Sequence, residues 1–167
     1  TAKGAAVDSW DSYLGFDPSM VYAELTTIFG GKDYSNVNSR YLELANAEPV
    51  YVLSYAMLKF MLAEGAVRGW ITSAANTHYT DGIKASMKFT AGFTPDNVLF
   101  HHNRKMTDAY IDSYVASDKV KLKTTESAQV QIEQIITQRY LSTFMLHAPF
   151  DAFFENRRTG FPVFPVN

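Results

Sequence analysis

Cysteine is absent from this 167-residue sequence, which excludes disulfide bonds, thiolate metal sites and a cysteine nucleophile. A strong charge of either sign is also missing, since the formal net charge is -2. Without a basic field, nucleic acid is a poor candidate partner. Long uncharged runs are missing too, because Lys59 and Glu64 interrupt the longest apolar stretch before it reaches the roughly 18 residues of a membrane span. No signal peptide is visible.

Aromatic residues, in contrast, are abundant: the chain has 12 Phe, 10 Tyr and 2 Trp. Many of them must lie in a core, but exposed Tyr and Trp rings can also stack on flat-faced ligands such as sugars. Trp10 and Tyr13 lie in a polar stretch with Asp11 and Ser12, and Tyr34 opens the turn-rich connection YSNVN. We predict that Trp10, Tyr13 and Tyr34 bind a ligand. The alternative is that these rings pack against the helices.

The most apolar long segment, PVYVLSYAMLKFMLAEGAVRGW at residues 49–70, predicts a buried central helix. A strand would be shorter, about 4–8 residues. Pro49 suits the first helical turn with Asn46 as its cap, and Gly69 can adopt the left-handed conformation that ends a helix. Because this helix is apolar nearly all round, we expect exposed apolar positions on it when the chain is taken alone, among Val50, Leu53, Met57 and Met61.

Glu64 lies on an otherwise apolar side of this helix, and Arg68 follows one turn later at the favourable spacing for a Glu–Arg pair. One interpretation makes Glu64, or Asp151, a general acid or base of a hydrolase. The sequence shows no second carboxylate at a spacing that supports this. The other interpretation, which we favour, is a buried ion pair or a carboxylate bonded to a neighbouring helix, because buried charges are generally paired.

A second helix, SAANTHYTDGIKASMKFT, follows after a short link and predicts an antiparallel hairpin, with Thr72 or Ser73 as its cap. Gly82 in its middle suggests a neighbouring helix that approaches too closely for a side chain. His101 and His102 have no acidic or histidine residue at a helical metal-binding spacing, so we predict no metal site and no cofactor.

Three further helices are predicted in the remaining sequence. Thr107 caps DAYIDSYVAS, a long helix covers about residues 127–147, and PFDAFFENRR ends at Gly160 in a left-handed cap. The long helix carries a core-facing stripe of Ile132, Ile135, Ile136, Tyr140, Thr143 and Phe144. In the last helix, Arg157 shares a side with three phenylalanines, so its stem should pack and its fork should bond carbonyls or a carboxylate.

The pattern as a whole predicts a mainly all-α fold, a tetratricopeptide-like array of helical hairpins with long irregular loops. Residues 1–48 form an irregular, loop-rich segment that we expect to be extended and turning. Residues 49–167 form the helical region. No strong strand pair is visible.

Three segments together resemble the C-terminal part of the SusD/RagB-like family of outer-membrane nutrient-binding lipoproteins: YAMLKFMLAEGAVRGWI, HYTDGIKASM and EQIITQRYLSTFMLHAPFDAFFENRRTGFP. The resemblance covers about residues 39–162. Its matching residues belong to the family's framework, so they imply structural roles for Glu64, Arg68, Gly69, Trp70, Gly82, Arg157, Arg158 and Gly160.

The resemblance implies a surface-exposed protein of the cell outer membrane that binds an oligosaccharide or peptide without catalysis and delivers it to a TonB-dependent, SusC-like transporter. It also implies membrane attachment only through a lipid anchor, which this sequence lacks, and a larger parent protein of which this chain is a C-terminal portion. The alternative function is a helical protein–protein interaction module without a small ligand of its own.

Overall fold

The computed structural model of the protein describes residues 5–6, 9–17, 19–31, 34–49, 51–144 and 150–164. All regular secondary structure in these residues is helical, which confirms the all-α prediction. The elements are a short 3-10 helix (Trp10–Ser12) and eight α-helices: α1 (Tyr22–Gly31), α2 (Arg40–Glu43), α3 (Tyr55–Val67), α4 (Ala75–Gly92), α5 (Val98–His101), α6 (Asp108–Ala116), α7 (Ala128–Thr143) and α8 (Asp151–Thr159).

The chain divides into two compact units. The first comprises Thr1–Ala47, Pro95–Arg104 and Phe164–Asn167, and the second comprises Glu48–Thr94 and Lys105–Val163. The predicted division into domains 1–48 and 49–167 stays a prediction.

Within the first unit, the expectation of extended and turning structure is wrong for the stretch that forms α1. Backbone hydrogen bonds from Glu24 and Leu25 to the carbonyl oxygen of Val21 start this helix, and it continues for ten residues with none of them buried. The buried residues described in this unit lie elsewhere, at Ser12, Arg40 and Phe100. The Asn38 amide donates to the carbonyl oxygen of Phe100 at 2.7 Å, and this bond ties the chain before α2 to α5.

The second unit is built on α3, which begins later than predicted. The Ser54 hydroxyl accepts a hydrogen bond from the Met57 N–H at 3.1 Å, so Ser54 is the cap, and the prediction of Pro49 in the first turn with Asn46 as cap is wrong. A serine directly before the helix satisfies an unpaired N–H that a cap eight residues earlier cannot reach. The predicted end is confirmed: Gly69 has φ +74°.

Helices α3 and α4 form the predicted antiparallel hairpin: the ring of Tyr51, before α3, contacts the ring of Phe89 late in α4, whereas the ring of Phe60 within α3 contacts that of Tyr79 early in α4. Lys59 pairs with Asp81 at 2.9 Å, and a β-carbon added to Gly82 would lie 3.0 Å from the Phe60 ring. The close approach predicted at Gly82 is therefore confirmed. The predicted cap of α4 is wrong: Ala74 precedes the helix without a side-chain cap, and the Ser73 hydroxyl instead contacts the His78 ring.

Around this hairpin, α7 packs on both α3 and α4, α6 packs on α4, and α8 packs on α7. Thr107 caps α6 as predicted, and Ser127 caps α7. Helix α7 ends at Thr143 rather than at 147, and residues 145–147 of that prediction lie outside the described residues. The core combines apolar residues of α3, α4 and α7 with the loop after α6: Ala56, Phe60, Ala63, Tyr79, Ile83, Val120, Leu122 and Ile135.

The apolar surface of α3 is divided between a buried and an exposed side. Leu53, just before the helix, and Met61 within it are exposed as expected, whereas Met57 is buried, so the expectation is wrong for that residue. Met57 shares a side of the helix with Phe60 and Glu64, and that side faces the interior of the unit. Val50 lies outside the described residues.

Candidate functional site

Glu64 of α3 is the centre of a buried charge cluster in the second unit. Its side chain is only 6% exposed. The Arg68 Nε donates to Glu64 Oε1 at 2.7 Å, which confirms the predicted pair one helical turn apart. Arg158 of α8 donates Nη1 to Oε1 and Nη2 to Oε2, both at 2.6 Å. The carboxylate is therefore bonded to a neighbouring helix as well as to its own.

The pKa of Glu64 follows from these contacts. Burial favours the neutral acid, but the hydrogen bonds from Arg158 and Arg68 outweigh burial and hold the pKa below its ordinary value. The hydrogen bond to Glu64 is in turn the largest cause of a raised pKa at Arg158. A general acid working near neutral pH needs a raised carboxyl pKa, and this site produces the opposite.

The cluster continues across α7 and α8 as alternating charges. Arg158 also bonds Glu155, Arg139 of α7 donates to Glu155 at 2.9 Å, and its other terminal nitrogen donates to Asp151 at 2.9 Å. We call the connected residues Arg68, Glu64, Arg158, Glu155, Arg139 and Asp151 the ion-pair ladder. Three carboxylates and three guanidinium groups leave it without net charge, and it fastens α8 to α3 and α7.

Sequence reasoning missed Arg139 and Glu155. A usable signal was present for Arg139, since it follows Ile135 and Ile136 by one turn and places a charge beside an apolar stripe, as Glu64 does in α3. Both residues are buried in the structure.

The predicted roles of Arg157 and Gly160 have different outcomes. Gly160 ends α8 with φ +85° and donates its N–H to the Asn156 carbonyl oxygen, as predicted. The Arg157 guanidinium lies over the Phe153 ring, 5.6 Å from its centroid, and Phe153 is itself exposed. The carboxylate-bonding fork assigned to Arg157 belongs to Arg158 instead, because Arg158 is one residue further round the helix and faces α3.

Trp70 follows the end of α3 and is 71% exposed. The Trp70 N–H donates to the Gly65 carbonyl oxygen at 2.9 Å, and the Gly69 N–H donates to that of Ala66, the pair of bonds that closes a helix in the Schellman motif. The Arg68 guanidinium lies 5.3 Å from the centroid of the Trp70 ring. The Gly-Trp motif therefore ends the helix, while the indole ring remains on the surface.

In the first unit, Trp10 and Tyr13 are 49% and 61% exposed. Both belong to the short turn that Ser9 caps. Ser35 holds the chain just beyond this turn: its hydroxyl accepts from the Leu14 N–H at 2.9 Å, and its N–H donates to the Leu14 carbonyl oxygen at 2.8 Å. The structure thus brings the backbone of the Trp10 turn beside that of the Tyr34 segment.

The Tyr34 ring has a different environment from the other two predicted binding residues. It makes edge-on contacts with the rings of Phe16 and Phe29, whose centroids lie 6.1 and 5.2 Å away. These contacts correspond to the packing alternative. The ligand-binding roles of Trp10, Tyr13 and Tyr34 stay predictions.

Neither a metal-binding cluster nor a membrane-spanning helix is found among the described residues. The His101 ring nitrogen Nε2 lies 3.1 Å from an Asp96 carboxylate oxygen, but within the described ranges no three His, Asp or Glu residues gather as a metal site would require. The described helices also include none with the length and apolar content needed to cross a membrane.

A family model for SusD-like proteins, described as starch-binding and associating with the outer membrane, matches residues 7–167. The chain belongs to the SusD-like family. A search of curated protein sequences gave no match.

Solved structures agree with this SusD-like assignment. A SusD homologue from Bacteroides fragilis is 41% identical, with a TM-score of 0.88. The match covers 98% of this chain and 34% of the homologue's chain. An outer-membrane protein from Bacteroides vulgatus whose description points to nutrient binding is 30% identical, with a TM-score of 0.86 and coverages of 98% and 35%. A second SusD homologue from B. fragilis is 32% identical, with a TM-score of 0.80 and coverages of 98% and 34%. The SusD-like chain described here spans about a third of the length of these relatives.

Proposed function

We propose that this SusD-like protein binds a complex nutrient at the outer-membrane surface, without catalysis, and delivers it to a TonB-dependent transporter. The ligand is an oligosaccharide or, as the second choice, a peptide. The family's description as starch-binding and the B. vulgatus relative's link to nutrient binding support the ligand class. Attachment through a lipid anchor and exposure at the cell surface belong to the same proposal.

The observation that carries this proposal is the pair of exposed aromatic rings at Trp10 and Tyr13. Both side chains are exposed among polar residues, and exposed aromatic rings are surfaces on which sugar rings stack. The turn that bears them is capped by Ser9 and held by Ser35, so the rings start from a fixed backbone. A fixed backbone reduces the entropy lost on binding.

Calorimetric titration with malto-oligosaccharides and with peptides tests the proposal. We expect Trp10→Ala and Tyr13→Ala each to weaken oligosaccharide binding by about tenfold, the loss of one stacked ring. Tyr22→Ala removes a still more exposed aromatic ring of the same unit and should leave affinity unchanged. Equal losses in all three variants, or no binding by the wild type, would contradict the assignment.

The ion-pair ladder supports the proposal that the protein is not a catalyst. Each of its carboxylates is bonded to at least one arginine, and Glu64 has a lowered pKa. Incubation with polysaccharides and peptides, read for new reducing ends or new amines, should give no turnover. Turnover that disappears in a folded Glu64→Gln variant would replace the binding proposal with a hydrolase.

One observation favours the second function, a protein-interaction module. Tyr55, Leu58 and Met61 are exposed on α3 at intervals of three residues, so they form one apolar line along the helix. A transporter is itself a protein partner, and both functions are compatible with this surface. Leu58→Asp should weaken binding to the transporter and leave oligosaccharide binding intact. Leu42→Asp, at an exposed leucine of the first unit, is the matched control.

A further inference from the structure

Trp70 has the features of a fixed binding platform in the second unit. The hydrogen bond from its N–H to the Gly65 carbonyl oxygen fixes its backbone on the last turn of α3. A β-carbon added to Gly65 would lie 3.9 Å from an atom of the indole ring, so one edge of the ring rests beside the helix. Most of the ring still faces solvent.

Arg68 lies next to this ring and retains capacity for a ligand. Its Nε is occupied by Glu64, but its terminal nitrogens make no hydrogen bond to any other described residue. Four N–H donors of the guanidinium group therefore have no acceptor among the described residues, and the group lies over the Trp70 ring, 5.3 Å from its centroid. Bonding to Glu64 holds the group in place.

The charges seen from solvent at this end of the ladder are positive. The Glu64 and Glu155 side chains are 6% and 10% exposed, whereas those of Arg68 and Arg158 are 30% and 43% exposed. Arg68 and Arg158 meet at the same oxygen, Glu64 Oε1. A ligand that reaches Trp70 thus meets the Arg68 guanidinium, and the Arg158 guanidinium is bonded to the same Glu64 oxygen, while the carboxylates that neutralise both groups are buried.

We propose that Trp70, Arg68 and Arg158 form a second binding site, for a sugar ring that carries a carboxylate, a uronic acid. The pyranose packs against the part of the indole ring that Arg68 leaves exposed, and the carboxylate accepts hydrogen bonds from Arg68 in the geometry that guanidinium groups favour. Arg158 contributes positive charge. The choice of a sugar rests on the proposed function, whereas the anionic group follows from the two exposed arginines.

The two tryptophans of the chain allow this site to be observed separately. In a Trp10→Phe background, Trp70 is the sole indole reporter. We expect trigalacturonate to change its fluorescence saturably and maltotriose to bind at least about tenfold more weakly, since the neutral sugar lacks the charged contact. The affinity for trigalacturonate should fall with added salt, because exposed charges are screened.

Three variants, measured by calorimetry in the otherwise wild-type chain, locate the site. Trp70→Ala and Arg68→Gln should each weaken trigalacturonate binding by about tenfold, and their melting temperatures show whether they fold. Lys88→Gln removes an exposed cation of α4 and should leave binding unchanged. Equal loss in Lys88→Gln, full binding by Trp70→Ala, equal binding of maltotriose, or displacement by equimolar acetate would each overturn the proposal.

These outcomes are independent of the Trp10 and Tyr13 site. Loss of maltotriose binding in Trp10→Ala bears on the proposed function, and the response of Trp70 to trigalacturonate bears on the second site. Failure of the proposed function therefore remains distinguishable from failure of the second-site proposal.

Discussion

Replacing Glu64 with glutamine should be the most destabilising isosteric change in the ion-pair ladder. The substitution keeps the size of the side chain but removes the anion on which two guanidinium groups converge. Removing one partner of a buried pair costs about 3–5 kcal/mol. We expect about 3 kcal/mol, the low end, because Arg68 and Arg158 are partly exposed and water solvates them.

For a chain of this size, each kcal/mol lowers the melting temperature by about 2–4 °C, so Glu64→Gln should melt about 6–12 °C below wild type at pH 7. Arg68→Gln should cost less, about 1 kcal/mol, since both hydrogen bonds from Arg158 remain. Lys88→Gln, which breaks an exposed pair on α4, is the matched control and should melt as wild type does.

The pH dependence of this difference follows from the lowered pKa of Glu64. Its contribution to stability is complete above the ordinary value of 4.5 and is lost as the pH falls through the pKa of the folded state. The gap between wild type and Glu64→Gln should therefore close under acid conditions. A gap that stays constant down to about pH 3, or no gap beyond that of Lys88→Gln at pH 7, would refute this reasoning.

Three other variants test the helical framework by thermal melting. Gly82→Ala should destabilise by about 1–3 kcal/mol because its methyl group would press on the Phe60 ring, whereas Gly92→Ala, in open space at the end of the same helix, should not. Tyr79→Phe should cost about 1–3 kcal/mol, since the hydroxyl donates to a buried backbone carbonyl oxygen 2.6 Å away. Gly160→Ala should cost about 1–2 kcal/mol, because φ +85° is strained for alanine. Melting temperatures equal to wild type would contradict each assignment.

Periodicity predicted the helices best where one side is apolar and the other polar. In α7, Ile132, Ile135 and Ile136 are all buried as their spacing predicts, whereas Phe144, predicted on the same stripe, follows the end of the helix and is exposed. In α3 the apolar residues continue round the whole helix, so their spacing neither separates buried Met57 from exposed Met61 nor distinguishes Ser54 from an earlier cap. The local sequence of α3 does not show which side of the helix is buried. Packing against α4 and α7 determines that side.

The candidate sites show the same limit. The pair of Glu64 and Arg68 could be predicted because one helical turn separates the two residues. Arg158 is 94 residues away, and no local spacing connects it to Glu64. For the aromatic residues, polar neighbours indicated the exposure of Trp10, but the packing of Tyr34 depends on rings that are brought to it by the fold.

The way α8 is attached also determines when it forms. The α3–α4 hairpin joins neighbouring segments, so its closure costs little chain entropy, whereas the bonds from α8 to Glu64 join residues 94 apart. Glu155 is the only buried residue among those that α8 comprises, so little apolar burial draws this helix inward during collapse. We therefore expect helix α8 to dock after the hairpin and α7 have assembled, and to be the first of these helices to detach when the protein opens locally.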